Sequence, residues 1–568
     1  MEYKERYKEW LKNKYIDTKT KNEILRLEDD EIKEAFYTNL EFGTGGMRGI
    51  MGVGTNRINK YTIAKTTQGL ADFIKSKNLD YPSVAICYDC RNNSRYFSEV
   101  AAEVLAGNNI KTYLFKEMRP TPMLSYAVRY LEATAGIIIT ASHNPPEYNG
   151  YKVYWDYGCQ MIPEMSEELT EKINKLEFKD VKYSDYKKEL EQENIIEVLE
   201  VIEDSFIENS KKLSLNDDVD KHIKIVYTPL HGTGIVPIRR ILTEMNYDNL
   251  YIVEEQMEPD GNFPTVDSPN PEDEKSFELS IKKAKEKDAD IILSTDPDGD
   301  RLGVACKDED SNYKLLTGNE TGALLIYYIL ESLKEKNSIK ENSLIIKTIV
   351  TSELGRVIAE NYGVECEDTL TGFKFIGEKI EEYSKTKKKN YIFGYEESAG
   401  YLYGEYVRDK DAVSSALMVS EMAAYFKKKG SSLSEELEKL YKKYGYYIDE
   451  LQNIKMEGIE GKEKIKKIIN TFRNENMNDY FDGEITVKKD YKEKISTDFE
   501  MNEKHPIELP ESNVLKYIFK DGSSFVVRPS GTEPKLKIYY SVVDDSRKKS
   551  KEKYQNIYDK VNLIIKKI

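Results

Sequence analysis

Seven short runs rich in β-branched and aliphatic residues recur along the chain: SVAICYD, AGIIITA, IKIVYTPL, LYIVEE, ADIILST, SLIIKTIV and NYIFGY. Each alternates with a charged stretch of helical period, and that alternation is the strongest constraint on the fold. Strands apolar along both faces must be covered by helices on both sides, which predicts α/β layers with mixed or parallel sheets. In such sheets ligands bind beyond the carboxyl ends of the strands, so the polar loops that follow the apolar runs are where chemistry is expected.

A chain of 568 residues exceeds one domain, and the run spacing predicts three α/β units followed by a C-terminal α+β region built on SSFVVRPS and KLKIYYSVV. The charged helical stretch from about 165 to 218 is expected to close the first unit. GSSLSEELEKLYKKYG, 430 to 445, reads as another joint, with Ser432 and Glu435 forming a capping box and Gly445 stopping the helix. The resulting boundaries are 1–212, 213–315, 316–445 and 446–568.

The 85 basic and 101 acidic residues leave a net charge of -16, opposite in sign to that of a nucleic-acid binder. The longest apolar stretch, ALLIYYIL, is too short to cross a bilayer, and the N-terminal MEYKERYKEWLKNKYI has helical spacing rather than an export core. A cytoplasmic location is expected. Five scattered cysteines exclude a disulfide framework; Cys87 and Cys90 have CxxC spacing, but no second pair or nearby His completes a zinc site, so strand-end packing is the expectation.

Five loops stand out. In DPDGDR, Asp296, Asp298 and Asp300 crowd three carboxylates into five residues, a repulsion best relieved by a hard divalent cation, with Mg2+ the fitting ion. An EF-hand would need Gly and Glu where Arg301 and Lys307 stand. Arg301 beside the carboxylates points to an anion sharing the site, and phosphate is the candidate. RPSGTEPK offers Arg528, Ser530, Gly531 and Thr532 to a phosphate, and EFGTGGMRG offers Arg48, although it lacks the GK[ST] ending of a nucleotide-binding loop. In TASHN, Ser142 does not sit in a G-x-S-x-G elbow, which counts against acyl hydrolysis. With His143 adjacent and Lys152 ten residues on, Ser142 is expected to accept and donate a phosphoryl group. GYEESAG provides Glu396 and Ser398 as partners for vicinal hydroxyls, or alternatively as helix-start residues.

TASHNPPEYNGYK, DPDGDR, GYEESAGY and RPSGTEPK, in that order and preceded by GTGGMRG, resemble the motifs of the α-D-phosphohexomutase family, the phosphoglucomutases and phosphomannomutases. The resemblance covers roughly residues 40 to 540. It implies a heart-shaped protein of three related mixed α/β-sheet domains and a C-terminal α+β domain around a central cleft, interconverting glucose 1-phosphate and glucose 6-phosphate through a phosphoserine and a glucose 1,6-bisphosphate intermediate. Ser142 would carry the phosphoryl group and, with Asp296, Asp298 and Asp300, ligate Mg2+; Arg48 and Arg301 would lie beside it, and His143 and Lys152 would transfer protons. TLTGFKFIG matches the family's sugar-specificity loop, so Thr371, Gly372, Phe373 and Lys374 would face the substrate with Glu396 and Ser398, while Arg528, Ser530, Gly531 and Thr532 would hold the phosphate not in transit.

The family also implies glucose 1,6-bisphosphate as activator, a small phosphosugar as the binding partner, and a monomer or weak homodimer without nucleic-acid or membrane partners. GYEESAGY in place of a GEMSGH-type loop favours the subgroup of large phosphoglucomutases and phosphopentomutases. Phosphomannomutase, phosphopentomutase, sugar-bisphosphate synthase and a non-catalytic phosphosugar-binding protein are the alternatives.

Overall fold

The computed structural model describes residues 2–43, 45–308, 310–456, 458–530 and 535–568. The chain forms two compact units, Met1–Gly318 with Phe373–Gly430, and Asn319–Gly372 with Ser431–Ile568.

The first unit carries two mixed sheets. One runs in the order Gly46–Ile50, Tyr148–Trp155, Ala135–Ile139, Ser83–Tyr88, Lys111–Phe115, Ile195–Val198. Its centre is parallel, and the antiparallel strands Tyr148–Trp155 and Gly46–Ile50 close one side. Ser83–Tyr88 and Ala135–Ile139 are buried along their whole length, as their unbroken apolar composition requires. Helices Lys60–Ser76, Ser94–Gly107 and Pro163–Lys175 contribute to the covering core. The second sheet orders Tyr313–Leu316, Leu302–Lys307, Ile291–Thr295, Ile225–Thr228 and Leu250–Ile252, with parallel pairing around Ile225–Thr228 and antiparallel hairpins on the far side. The same unit holds the antiparallel hairpin Asn390–Glu396 and Gly400–Tyr403.

The stretch expected to be wholly helical between 165 and 218 also contains the strand Ile195–Val198, which adds in parallel to Lys111–Phe115. Its β-branched pair, Ile195 and Ile196, is too short to leave a periodic signature between charged helices. N-terminal helices Glu2–Lys12, Thr18–Ile24 and Asp29–Phe36 pack Trp10 and Phe36 edge-on, with Tyr61 and Phe178 completing an aromatic cluster.

In the second unit, Ser343–Thr348 and Glu365–Thr369 pair in parallel around the helix Leu354–Asn361. The C-terminal region is a fully antiparallel sheet ordered Tyr446–Lys455, Lys535–Asp544, Ser524–Pro529, Leu515–Phe519, Ile485–Asp490, Ile495–Asp498, Glu503–Pro506. Residues of helices Gly458–Asn474 and Arg547–Lys566 join its core. The capping box forms as expected: Ser432 N–H donates to Glu435 Oε2 at 2.7 Å, Glu435 N–H donates to Ser432 Oγ at 3.2 Å, and Gly445 ends the helix at φ 100°.

A cluster of ion pairs joins the two segments of this unit. Lys347 bridges Glu353 (3.1 Å) and Asp368 (3.0 Å), Arg356 pairs with the same two carboxylates, and Lys516, from the C-terminal sheet, reaches Glu353 at 2.8 Å and the Ile349 carbonyl at 3.1 Å. Asp449 accepts from Ser541 Oγ at 2.5 Å, and burial pushes its carboxyl up to about 6.

Candidate active site

The strand Ala135–Ile139 delivers Thr140, Ala141 and Ser142 to the sheet's carboxyl edge. Ser142 is 3% exposed and holds φ at 52°, in the left-handed region that a non-glycine residue adopts only when its surroundings dictate it. Those surroundings are explicit. Ser142 N–H donates to Thr140 Oγ1 at 2.8 Å, and Thr140 donates in turn to Asp89 Oδ2 at 2.6 Å. Buried Arg91 lies beneath the loop. Its guanidinium donates to the carbonyls of Ser142 (2.5 Å), Asn144, Pro145 (2.8 Å) and Tyr148 (3.0 Å), pairs with Asp89 at 3.4 Å, and stacks over Phe263 at 5.0 Å. Asp89 and Arg91 belong to the CYDCR stretch, in which only the cysteines drew attention from the sequence. Both cysteines are free; Cys87 lies buried in its strand, where desolvation pushes the thiol up to about 12.

Opposite Ser142, the strand Ile291–Thr295 ends in the aspartate loop. One carboxylate oxygen from each of Asp296, Asp298 and Asp300 lies within 4.8 Å of the other two, and all three side chains are buried. Asp296 Oδ1 accepts the N–H groups of Asp300 (3.2 Å) and Arg301 (3.1 Å), and its Oδ2 accepts the Ser142 hydroxyl at 2.7 Å. Asp298 Oδ2 accepts from Lys152 Nζ and from Thr121 Oγ1, each at 3.0 Å. Asp300 Oδ2 lies 3.2 Å from Lys410 Nζ and 3.8 Å from Lys152 Nζ. Asp298 Oδ1 and Asp300 Oδ1 are buried without a hydrogen-bond partner. An all-oxygen donor set, with two oxygens that accept no hydrogen bond, one of them 4.0 Å from Arg301 Nε, fits a hard divalent cation.

The charges are arranged unequally. Burial and the neighbouring carboxylates Asp298 and Asp300 push Asp296 well above the ordinary range. Burial also opposes ionisation of Asp298, but Lys152 above all, with Lys410, outweighs it and holds this carboxyl far below that range. The loop itself is clamped by PLHGTG: Thr233 donates both its N–H and its hydroxyl to the Pro297 carbonyl at 2.9 Å, and a Cβ on Gly232 would come 2.6 Å from Pro297 Cα. Only glycine permits that approach.

Around this centre, Arg48 on the edge strand Gly46–Ile50 donates to Asn144 Oδ1 at 2.7 Å. His143 Nδ1 stands 3.3 Å from Ser142 Oγ; burial and the charges of Arg301 and Arg48 drive its basicity well down, leaving a neutral ring. Arg301 pairs with Glu272 at 2.8 Å. Glu396, buried at the end of the strand Asn390–Glu396, acts electrostatically on both Arg301 and Lys410. Ser398 follows in the hairpin turn, so neither residue begins a helix. Lys410 Nζ lies 5.7 Å from the Phe373 ring centre and 3.2 Å from Asp409, which accepts from the Tyr154 hydroxyl at 2.5 Å. Lys374 is buried, its carbonyl accepting from Cys159 Sγ at 3.4 Å.

The first unit therefore gathers Ser142, His143, Lys152, Arg48, Arg301, the aspartates and Glu396. Thr371 and Gly372 end a segment of the second unit, Gly372 at φ 121° and the Thr371 hydroxyl buried without a partner. In that unit Arg528 lies in the strand Ser524–Pro529, and Ser530 N–H donates to the Lys535 carbonyl at 2.8 Å. Gly531 and Thr532 lie outside the described residues. Sequence reasoning missed Arg91, Thr121, Thr233 and Lys410; the alternating charges of RDKD, 408 to 411, were the one available signal, for Lys410.

A strand-end serine facing an oxygen-donor trio among several cations answers what phosphoryl transfer demands, namely positioning and charge neutralisation. The α/β/α domains I, II and III of the phosphoglucomutase/phosphomannomutase family match residues 39–180, 204–309 and 317–444, and the family's C-terminal domain matches 475–553. A phosphoglucomutase of Staphylococcus haemolyticus (strain JCSC1435) is 37% identical over 553 residues, 95% of this chain and 99% of that one. One from Staphylococcus epidermidis (strain RP62A) is 38% identical over 541 residues, 94% and 97% of the two chains. The fold is similar to that of parafusin (pp63), a phosphoglucomutase from Paramecium solved in an open form, with a TM-score of 0.69 at 16% identity, covering 93% of this chain and 95% of that one. The chain belongs to the phosphoglucomutase/phosphomannomutase family of enzymes. No helix among the described residues is long and apolar enough to cross a membrane.

Proposed function

We propose that this enzyme interconverts glucose 1-phosphate and glucose 6-phosphate, with Ser142 as the phosphoryl carrier and glucose 1,6-bisphosphate as intermediate and activator. The observation carrying the reading is the 2.7 Å approach of Ser142 Oγ to Asp296, beside the oxygens of Asp298 and Asp300 that accept no hydrogen bond. The named phosphoglucomutase relatives support the same reaction.

In this reading the free sugar hydroxyl attacks the phosphorus on Ser142. The bond from phosphorus to Ser142 Oγ breaks as the bond to the sugar oxygen forms, the hydroxyl proton passes to the nearby base, and Ser142 regains a proton. The bisphosphate then returns its other phosphoryl group to Ser142. Lys152 and His143 are the proton-transfer groups, and Arg48 and Arg301 balance the transferred charge. A Mg2+ held by Asp296, Asp298, Asp300 and an oxygen on Ser142 would supply further positive charge to that group. Thr371, Gly372, Phe373, Lys374, Glu396 and Ser398 hold the sugar, and Arg528, Ser530, Gly531 and Thr532 hold the phosphate that stays. The division of labour follows 1–212 for the serine, 213–315 for the metal, 316–445 for the sugar and 446–568 for the phosphate.

The test is a substrate panel of glucose 1-phosphate, mannose 1-phosphate and ribose 1-phosphate assayed with glucose 1,6-bisphosphate, alongside intact mass. The expected result is fastest turnover of glucose 1-phosphate and gain of one phosphoryl mass, both absent from Ser142→Ala. Turnover retained by Ser142→Ala would remove the carrier role. Faster turnover of ribose 1-phosphate would make the enzyme a phosphopentomutase, the other activity of the subgroup to which the GYEESAGY loop points.

A further inference from the structure

We propose that Thr121 is a positioning residue of the aspartate loop: its hydroxyl fixes the Asp298 carboxylate so that one oxygen is left free to face a divalent cation. This rests on the reading of the aspartates as a cation site.

Thr121 is fully buried and opens the helix Thr121–Tyr130, with Pro120 before it in extended conformation. It grips Asp298 twice. Its N–H donates to the Asp298 carbonyl at 2.8 Å and its hydroxyl to Oδ2 at 3.0 Å. Lys152 Nζ donates to the same Oδ2, also at 3.0 Å. Two donors therefore crowd one oxygen of a fully buried carboxylate, while Oδ1 has no hydrogen-bond partner. Leaving a carboxylate oxygen bare in the interior is unfavourable unless a cation faces it, so the asymmetry itself specifies which oxygen would coordinate.

The two donors are not equivalent. Lys152 reaches Asp298 on a flexible four-carbon stem and lies within 3.8 Å of Asp300 as well, so it can leave Oδ2 when a phosphorylated sugar draws the ammonium away. Thr121 has no such reach: its hydroxyl sits on a short, β-branched side chain whose own backbone N–H is tied to the same aspartate. Its hydroxyl keeps the carboxylate plane in place while Lys152 moves. Groups that orient a metal ligand from behind are worth about 10–100-fold in metal affinity.

The experiment is titration of the full-length protein with Mn2+, followed by electron paramagnetic resonance, for the parent, Thr121→Val, Thr121→Ala, Thr121→Ser and Asp298→Asn. Valine keeps the shape and the backbone bond but removes the hydroxyl. The expected result is Mn2+ affinity weakened about ten-fold in Thr121→Val and Thr121→Ala, affinity close to the parent in Thr121→Ser, and loss of binding in Asp298→Asn. Parent-like affinity in Thr121→Val or Thr121→Ala, with Asp298→Asn still defective, overturns the role of Thr121 and leaves the cation site standing. Equal weakening in Thr121→Ser overturns it too, because the hydroxyl would then be irrelevant. Parent-like binding by Asp298→Asn removes the cation site and this inference together.

Discussion

Replacing Arg91 with Met should release the serine loop without touching a group that meets substrate. In the native protein one guanidinium donates to the carbonyls of Ser142, Asn144, Pro145 and Tyr148 and neutralises Asp89. Methionine fills much of the space over Phe263 but supplies no donor. Breaking a buried ion pair by removing one partner costs about 3–5 kcal/mol, and each carbonyl left dry adds about 1–3 kcal/mol unless water enters. Water can reach the outer carbonyls, and Asp89, whose carboxyl burial already raises, can escape by taking up a proton. A net local loss of about 4–6 kcal/mol follows, nearly all of it at this loop. Because each 1.4 kcal/mol is tenfold, amide exchange in peptides spanning 140–150 should quicken by about 10³–10⁴. Turnover should fall with it, since Ser142 would relax from φ 52° toward an ordinary backbone conformation. Hydrogen exchange by mass spectrometry reads the effect directly. Exchange in 140–150 within tenfold of the parent would show that Arg91 does not hold the loop. Arg91→Lys, which keeps charge but loses the planar fork, should fall between the two.

Three further outcomes are expected. Asp449 has a folded-state carboxyl raised to about 6, so its contribution to stability is present in acid and is lost as pH rises through 6; Asp449→Asn should therefore gain thermal stability relative to the parent at pH 7 but not at pH 4.5, measured by thermal unfolding. A Cβ on Gly303 would sit 2.1 Å from the Pro271 carbonyl oxygen, so Gly303→Ala should cost about 1–3 kcal/mol in chemical denaturation and slow turnover by shifting the strand that follows Arg301. Lys516→Met removes a cation from Glu353 in the buried cluster of the second unit and should lower the melting temperature of that unit while exchange in 136–152 stays unchanged.

Much of this was legible in the chain. The unbroken apolar runs Ser83–Tyr88 and Ala135–Ile139 lie in sheet interiors because nothing but a doubly covered strand can accept them. The aspartate trio could be read because three carboxylates in five residues repel one another unless positive charge is brought to them. Arg91, Thr121, Thr233 and Lys410 could not, for a common reason. Each works through a partner far away in sequence, Thr121 through Asp298 and Arg91 through the carbonyls near Ser142, and a single arginine or threonine carries no local periodicity. The helical reading of GYEESAG failed similarly: Glu and Ser favour helix starts, but the run NYIFGY extends its strand to Glu396, and Ala399 turns the chain at φ 55°.

The second unit is discontinuous, and this has a consequence for how the protein is made. Its first segment, Asn319–Gly372, leaves the ribosome before Phe373–Gly430 and long before Ser431–Ile568. At about 5–20 residues per second, Glu353 and Asp368 wait on the order of ten seconds for the strand bearing Lys516. During that interval the nascent chain exposes an unfinished parallel strand pair whose outer surface is meant for later residues. Slowing translation after codon 430 should therefore increase the demand for chaperones, and fragments ending near 445 should be prone to aggregation even though every residue of the first unit has been synthesised.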